Sequence, residues 1–210
     1  FYQVFLRSAH STVRQYDKKN QLNLMTKIIL FNKPFRVLSQ FTDRSAEIPR
    51  QTIADFIDHR GYRVAGRLDY DSEGLLILTK DGSVLQRITN PKNKLWKMYL
   101  VQVEGEISRE ALLNLQTGVL LNDGSTRPAM VAVISPPRIW ERKPTVRYRK
   151  SIPDSWICIS IQEGRNRQIR RMTAAVGFPT LRLVRTKIGK IGLNNLNPGE
   201  FCFISISSIL

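Results

Sequence analysis

Apolar residues along the chain fall into short runs separated by turn residues, and the spacing within each run predicts its element. Ordered structure is expected to begin at Lys27-Ile28-Ile29-Leu30-Phe31, a strand-like run ended by Asn32-Lys33-Pro34. Thr52, with Asp55 three residues on, has the form of a helix start; Ile53, Phe56 and Ile57 then share a face, and Gly61 stands where the helix would stop. Further strands are predicted at 75–79, 98–103, 129–134, 156–161, 181–185 and 201–206. Asp81 caps a short helix that Pro91 ends. Ser108 caps another, with Ile107 and Leu112 at hydrophobic-staple spacing and Gly118 as its stop. Asn166 is placed to cap a helix over 167–176, with Gly177 just beyond it and Pro179 blocking continuation. Strands outnumber helices and do not alternate regularly with them. The pattern predicts an α+β fold on a mixed, largely antiparallel sheet. Residues 1–26 are polar, basic and aperiodic and read as a flexible basic arm before a single domain over 27–210.

Charge changes this picture more than composition does. The chain is 42% hydrophobic and 24% charged, ordinary values, but 33 Lys and Arg face 17 Asp and Glu for a formal net charge of +16. Such an excess implies an acidic polymer as partner, nucleic acid ahead of an anionic membrane, because it otherwise costs self-repulsion. No run reaches the length of a transmembrane helix, and the apolar start at 1–6 is too short for a secretory segment. Cys158 and Cys202, far apart and lacking metal-ligand spacing, exclude a structural zinc site and read as small buried hydrophobes in a reducing compartment, the cytoplasm.

Two stretches concentrate the positive charge. Residues 135–151 carry six Lys or Arg against Glu141 alone, interleaved with Trp140 and Tyr148. The prolines keep the stretch irregular, so it reads as an exposed loop whose cations meet phosphates and whose aromatics stack on unpaired bases, or else as a solvated hairpin with core-facing aromatics. Residues 164–190 hold eight Lys or Arg and no acid. On the helix predicted there, Ile169, Met172 and Val176 share one face while Arg167, Arg170 and Arg171 fall opposite. Arginines near a helix N-terminus oppose its dipole, which points to a partner for them: a phosphate or a buried carboxylate.

Against this basic background, Gly66–Lys80 reads GRLDYDSEGLLILTK, with Asp69, Asp71 and Glu73 within five residues. A calcium loop would need a bidentate Glu where Lys80 stands. Two readings remain: a solvated turn with a cap or ion pair, and a catalytic carboxylate kept ionised by a neighbouring arginine.

The segments GRLDYDSEGLL, KMYLVQVEG, EGRNRQIRRM and TLRLVRTKIG, in this order, resemble the motifs of the RNA pseudouridine synthases, in the branch acting on ribosomal RNA. The resemblance covers residues 27 to 206. It implies a catalytic domain in which two lobes of a mixed sheet flank a cleft, with helices packed on the sheet. It implies an isomerase that breaks the ribose bond to N1 of uridine, turns the base and joins C5 instead, with no cofactor and no metal. The substrate implied is large-subunit ribosomal RNA, handled by a monomer away from any membrane. By motif match, Asp69 is the essential carboxylate, acting on the ribose, on the base or as a proton acceptor. Tyr99 stacks on the target base, Arg170 pairs with Asp69, Leu183 packs against the base, and Arg67 lies near the flipped nucleotide. Flipping is also a physical need, since a stacked base cannot be reached.

Many relatives in this branch carry a small RNA-binding domain ahead of the catalytic one, and the 26 residues before Lys27 are too few for it. Capture of RNA is therefore expected to rest on the arm and the basic stretches. A non-catalytic RNA-binding assembly protein of the same fold is the alternative, and Asp69 among cations is the feature such a protein would not need.

Overall fold

A computed structural model describes residues 27–44, 47–58, 61–146 and 151–205. The expected arm, Tyr148 and the end of the last expected strand lie outside the described residues.

Two apolar runs form the centre of one half of the sheet. Lys27–Lys33 (β1) is buried from Ile28 onward, and Glu73–Thr79 (β3) is buried throughout. A strand covered on both faces has no polar side to alternate with. Lys97–Glu104 (β4), by contrast, alternates, burying Tyr99, Val101 and Val103. Around these lie Arg63–Ala65 (β2), Met130–Ile134 (β7), Asp154–Ile161 (β8), Thr180–Ile188 (β9), Ile191–Gly192 (β10) and Phe201–Ser205 (β11), with a small separate hairpin of Leu120–Leu121 (β5) and Gly124–Ser125 (β6). The nine-stranded sheet runs β11-β1-β3-β9-β4-β8-β7, with β2 beside β3 and β10 beside β9.

The two expected lobes are the two halves of this one sheet. They meet where β3 pairs with β9, the parallel contact in an otherwise antiparallel set. That seam is two residue pairs long, Glu73 with Val184 and Gly74 with Arg185. Gly74 has φ +100, and a Cβ there would stand 2.3 Å from the Arg185 carbonyl oxygen. Only glycine lets the two lobes approach this closely.

Both faces of the sheet are covered. On one, Ile29, Phe31, Leu76 and Leu78 join Val101, Ile157 and Ile159 under two helices, Arg109–Thr117 (α2, through Ala111 and Leu115) and Gln168–Ala175 (α3, through Ile169 and Met172). On the other, Ile28, Leu30, Leu75 and Ile77 pack against Val84 and Ile88 of Gly82–Thr89 (α1). The caps expected at Asp81 and Ser108 form: Asp81 accepts the amides of Ser83 and Val84, and Ser108 accepts that of Ala111.

Two local expectations are corrected. The helix after Thr52 is a single 3-10 turn, Ile53–Asp55. Its capping contacts form, Asp55 accepting the Thr52 amide at 2.7 Å, but the Ile53 amide is drawn to the Gln40 carbonyl and Thr52 bridges to Leu38. Ile53 and Ile57 still enter the core. In the arginine helix, Asn166 is not the cap. Arg167 occupies that position in a left-handed conformation, φ 47, with no side-chain cap. Gln168 instead folds back, accepting the Arg165 amide and donating to Glu163, while the Asn166 carbonyl takes Arg171 Nε. At the other end, Gly177 (φ +92) closes the helix as expected, with the Phe178 amide reaching the Thr173 carbonyl.

Candidate active site

The turn that feeds β3 is held at nearly every peptide. Arg185 Nη2 donates to the Gly66 carbonyl at 2.8 Å, and Ser39 Oγ donates to that of Leu68 while accepting its amide. The Asp69 carbonyl accepts from the Ser72 amide, that of Tyr70 from the Arg36 amide, and that of Asp71 from Arg170 Nη2 at 2.7 Å. A loop so fully bonded presents its side chains as rigidly as a strand would.

The three acids of this turn face three different surroundings. Glu73 begins β3 and is buried, with Arg182 Nε and Nη2 each 2.9 Å from its oxygens and the Trp140 indole N–H 2.7 Å away. Asp71 faces α3. Arg167 grips it with both terminal nitrogens at 2.9 and 2.7 Å, and Arg170 Nε stands 3.4 Å from it. Burial works to raise the Asp71 carboxyl, but the Arg167 hydrogen bonds and the charges of Arg170 and Arg167 outweigh it and hold it below the usual aspartate range. Asp69 lines a cavity of about 740 Å³, with 33% of its side chain exposed and Oδ2 3.6 Å from Arg167 Nη1.

That cavity collects four of the five residues implied by the motifs: Arg67, Asp69, Tyr99 and Leu183 all line it. Tyr99 and Leu183 come from β4 and β9, so the cavity opens just beyond the short seam between the lobes. Arg67 is exposed at the rim and donates to Gln40 at 3.1 Å. The fifth, Arg170, is placed differently from expectation. Its carboxylate contact is Asp71, and the guanidinium nearest Asp69 is that of Arg167, at 3.6 Å. The cause is the shifted helix start. With Arg167 left-handed ahead of the first turn, its side chain spans both acids, while Arg170 is drawn under the turn by the carbonyls of Asp71 and Thr180. Arg171 leaves the site and pairs with Asp123 of the β5–β6 hairpin. The arginine face thus meets carboxylates, but partly exposed ones, Asp71 and Asp123, where a phosphate or a buried carboxylate was expected.

Three features of the site were not read from sequence. Of the two readings of the 135–151 stretch, base stacking from an exposed loop and core-facing aromatics, Trp140 follows the second: it turns inward to Glu73, and the Arg182 side chain that grips Glu73 also donates to its carbonyl. The pairing of one buried arginine with one buried glutamate has no local signature. Arg185, 2% exposed, was counted only as one of a basic stretch, yet it carries Gly66 and Leu75. Lys33 is wholly buried at the end of β1, donating to the carbonyls of Pro34 and Val37. Its signal, a lysine closing an apolar run, was read as a strand end.

Burial lowers the Lys33 ammonium to about 7, although Glu73, Asp71 and Asp69 pull the other way. In the unfolded chain it keeps its proton to about pH 10.4. Between these limits the unfolded state binds the extra proton, so this group makes stability rise with pH. The stability of the parent relative to Lys33→Met, read from urea unfolding, should climb from about pH 7 to about pH 10. A constant difference across that window would refute the buried ammonium.

Comparison with known proteins agrees with this geometry. Residues 27–175 match the model of the RNA pseudouridylate synthase family. The chain is 50% identical over 202 residues to the ribosomal large subunit pseudouridine synthase E of Vibrio vulnificus, covering 95% of this chain and 85% of that protein. It is 55% identical over 172 residues to the protein of the same name from Xanthomonas axonopodis, covering 81% and 90%. A crystal structure of a pseudouridylate synthase superposes with a TM-score of 0.72 at 30% identity, over 87% of this chain and 72% of that one. With a carboxylate held on a rigid turn at the junction of two lobes, and with these matches along most of its length, the chain belongs to the RNA pseudouridine synthases.

Proposed function

We propose that the protein converts a uridine of large-subunit ribosomal RNA to pseudouridine, with Asp69 as the carboxylate that acts on the flipped nucleotide. The observation that carries this reading is that, of the three acids on the turn, Asp69 is the one that lines the cavity, while Asp71 and Glu73 are held by arginine hydrogen bonds. In the reaction the C1′–N1 bond breaks with its electron pair on the uracil. The ring turns, C5 bonds to C1′, the C5 proton leaves and N1 gains one. Tyr99 supplies an aromatic face for the base and Leu183 an apolar wall. Arg170 acts through Asp71, fixing the turn that carries Asp69. Arg67, at the rim, occupies the region the flipped base vacates. The enzyme works as a monomer in the cytoplasm, and its positive charge captures the RNA backbone. The large-subunit assignment rests on the relatives' substrate.

The test is a map of pseudouridines in ribosomal RNA from cells with and without the gene. Loss of a pseudouridine from large-subunit RNA, restored by the parent gene, is expected. An unchanged large-subunit map would overturn the reading.

A further inference from the structure

Lys97 and Arg185 stand on the cavity wall with no carboxylate partner. Tyr99 and Arg185 are paired across β4 and β9, and Lys97 stands two residues before Tyr99 on β4, across a register shift between Met98 and Tyr99. All three line the cavity. The charge of Arg185 is felt at Lys97, whose ammonium is half-buried and pushed below the usual lysine range, first by burial and then by that neighbour. Among the described residues, no acid comes within ion-pair distance of either. Lys97 Nζ has one weak contact, 3.5 Å to the Leu95 carbonyl. Arg185 uses Nε and Nη2 on carbonyls, and Nη1 has no protein acceptor among the described residues.

Three other arginines around the turn have a carboxylate that occupies them: Arg167 and Arg170 on Asp71, Arg182 on Glu73. Two neighbouring cations kept apart from these acids, partly desolvated and mutually repelling, are a site for an anion that arrives with the ligand. A uracil carrying transient charge would meet them only at the moment of reaction. A phosphodiester carries its charge permanently and offsets the repulsion from the moment of binding.

Taking the function proposed above, we propose that Lys97 and Arg185 form a phosphate subsite that holds a phosphodiester flanking the target uridine, so that the nucleotide is gripped by its backbone while Tyr99 faces the base. Lys97 is the residue to test, because Arg185 also carries the backbone of the active-site turn. The RNA is a fragment that the parent enzyme converts to pseudouridine, which keeps failure of the subsite distinct from failure of the functional reading. Versions carrying a neutral methylphosphonate on the 5′ or the 3′ side of the target are compared with the natural fragment. Lys97→Met should weaken binding of natural RNA by about tenfold or more, while Lys97→Arg should recover most of the loss. One of the two methylphosphonates should weaken the parent by a similar factor and leave Lys97→Met unaffected. The proposal is overturned if Lys97→Met binds as the parent does. It is equally overturned if its defect persists unchanged with both methylphosphonates, or if only the rate at saturating RNA falls.

Discussion

Asp69→Asn should convert no uridine while binding RNA at least as tightly as the parent. The amide keeps the size of the carboxylate and its place on a turn bonded mainly through main-chain atoms, so the fold should survive. It removes the charge and basicity that attack on a ribose, addition to a base or capture of a proton would each require. Affinity comes mostly from neutralised phosphates, and one fewer negative charge in a basic cleft does not reduce it. The measurements are tritium release from C5-labelled uridine in RNA and a binding titration on the same RNA. Turnover by the Asn variant would remove Asp69 from the chemistry. Loss of binding together with turnover would make it a recognition residue.

The largest effect on stability is expected at Glu73. Its carboxylate is buried between Arg182 and the Trp140 indole, at the residue where the two lobes meet. Glu73→Gln leaves the Arg182 guanidinium buried without a counter-charge, which costs about 3–5 kcal/mol when one partner of a buried pair is removed. Replacing both partners with apolar residues, Glu73→Leu with Arg182→Met, should cost far less, since the desolvation of both charges disappears with them. Chemical unfolding of Glu73→Gln and of the double variant gives the comparison. A Glu73→Gln protein as stable as the parent would mean that the pair contributes nothing to holding the lobes together.

The motifs imply that Asp69, Tyr99, Leu183 and Arg67 meet around one target nucleotide, and the structure brings those four together at one cavity. They were legible because each lies inside a short, ordered word of sequence. Arg170 was legible as a residue of the site and illegible in its contact. Its neighbour is decided by where the helix begins, and that in turn depends on Gln168 folding back and Arg167 adopting φ 47. At the turn after Thr52, the Ile53 amide found a distant acceptor, the Gln40 carbonyl, that no local pattern announces.

The chain's sequence by itself determined what depends on near neighbours. It set the strands, from apolar runs and alternation, and the ends of α1 and α2, from Asp81, Ser108 and Gly118. It set the overall demand for an acidic polymer. It also placed three acids on one turn. Tertiary structure alone decided what each acid does. Arg182 reaches Glu73 across 109 residues and Arg167 reaches Asp71 across 96, and both distances close only when β3 and β9 meet. Of the three acids on the turn, Asp69 is the one that lines the cavity, because a charged side chain's partner is set by the folded geometry around it and not by the residues beside it in the chain.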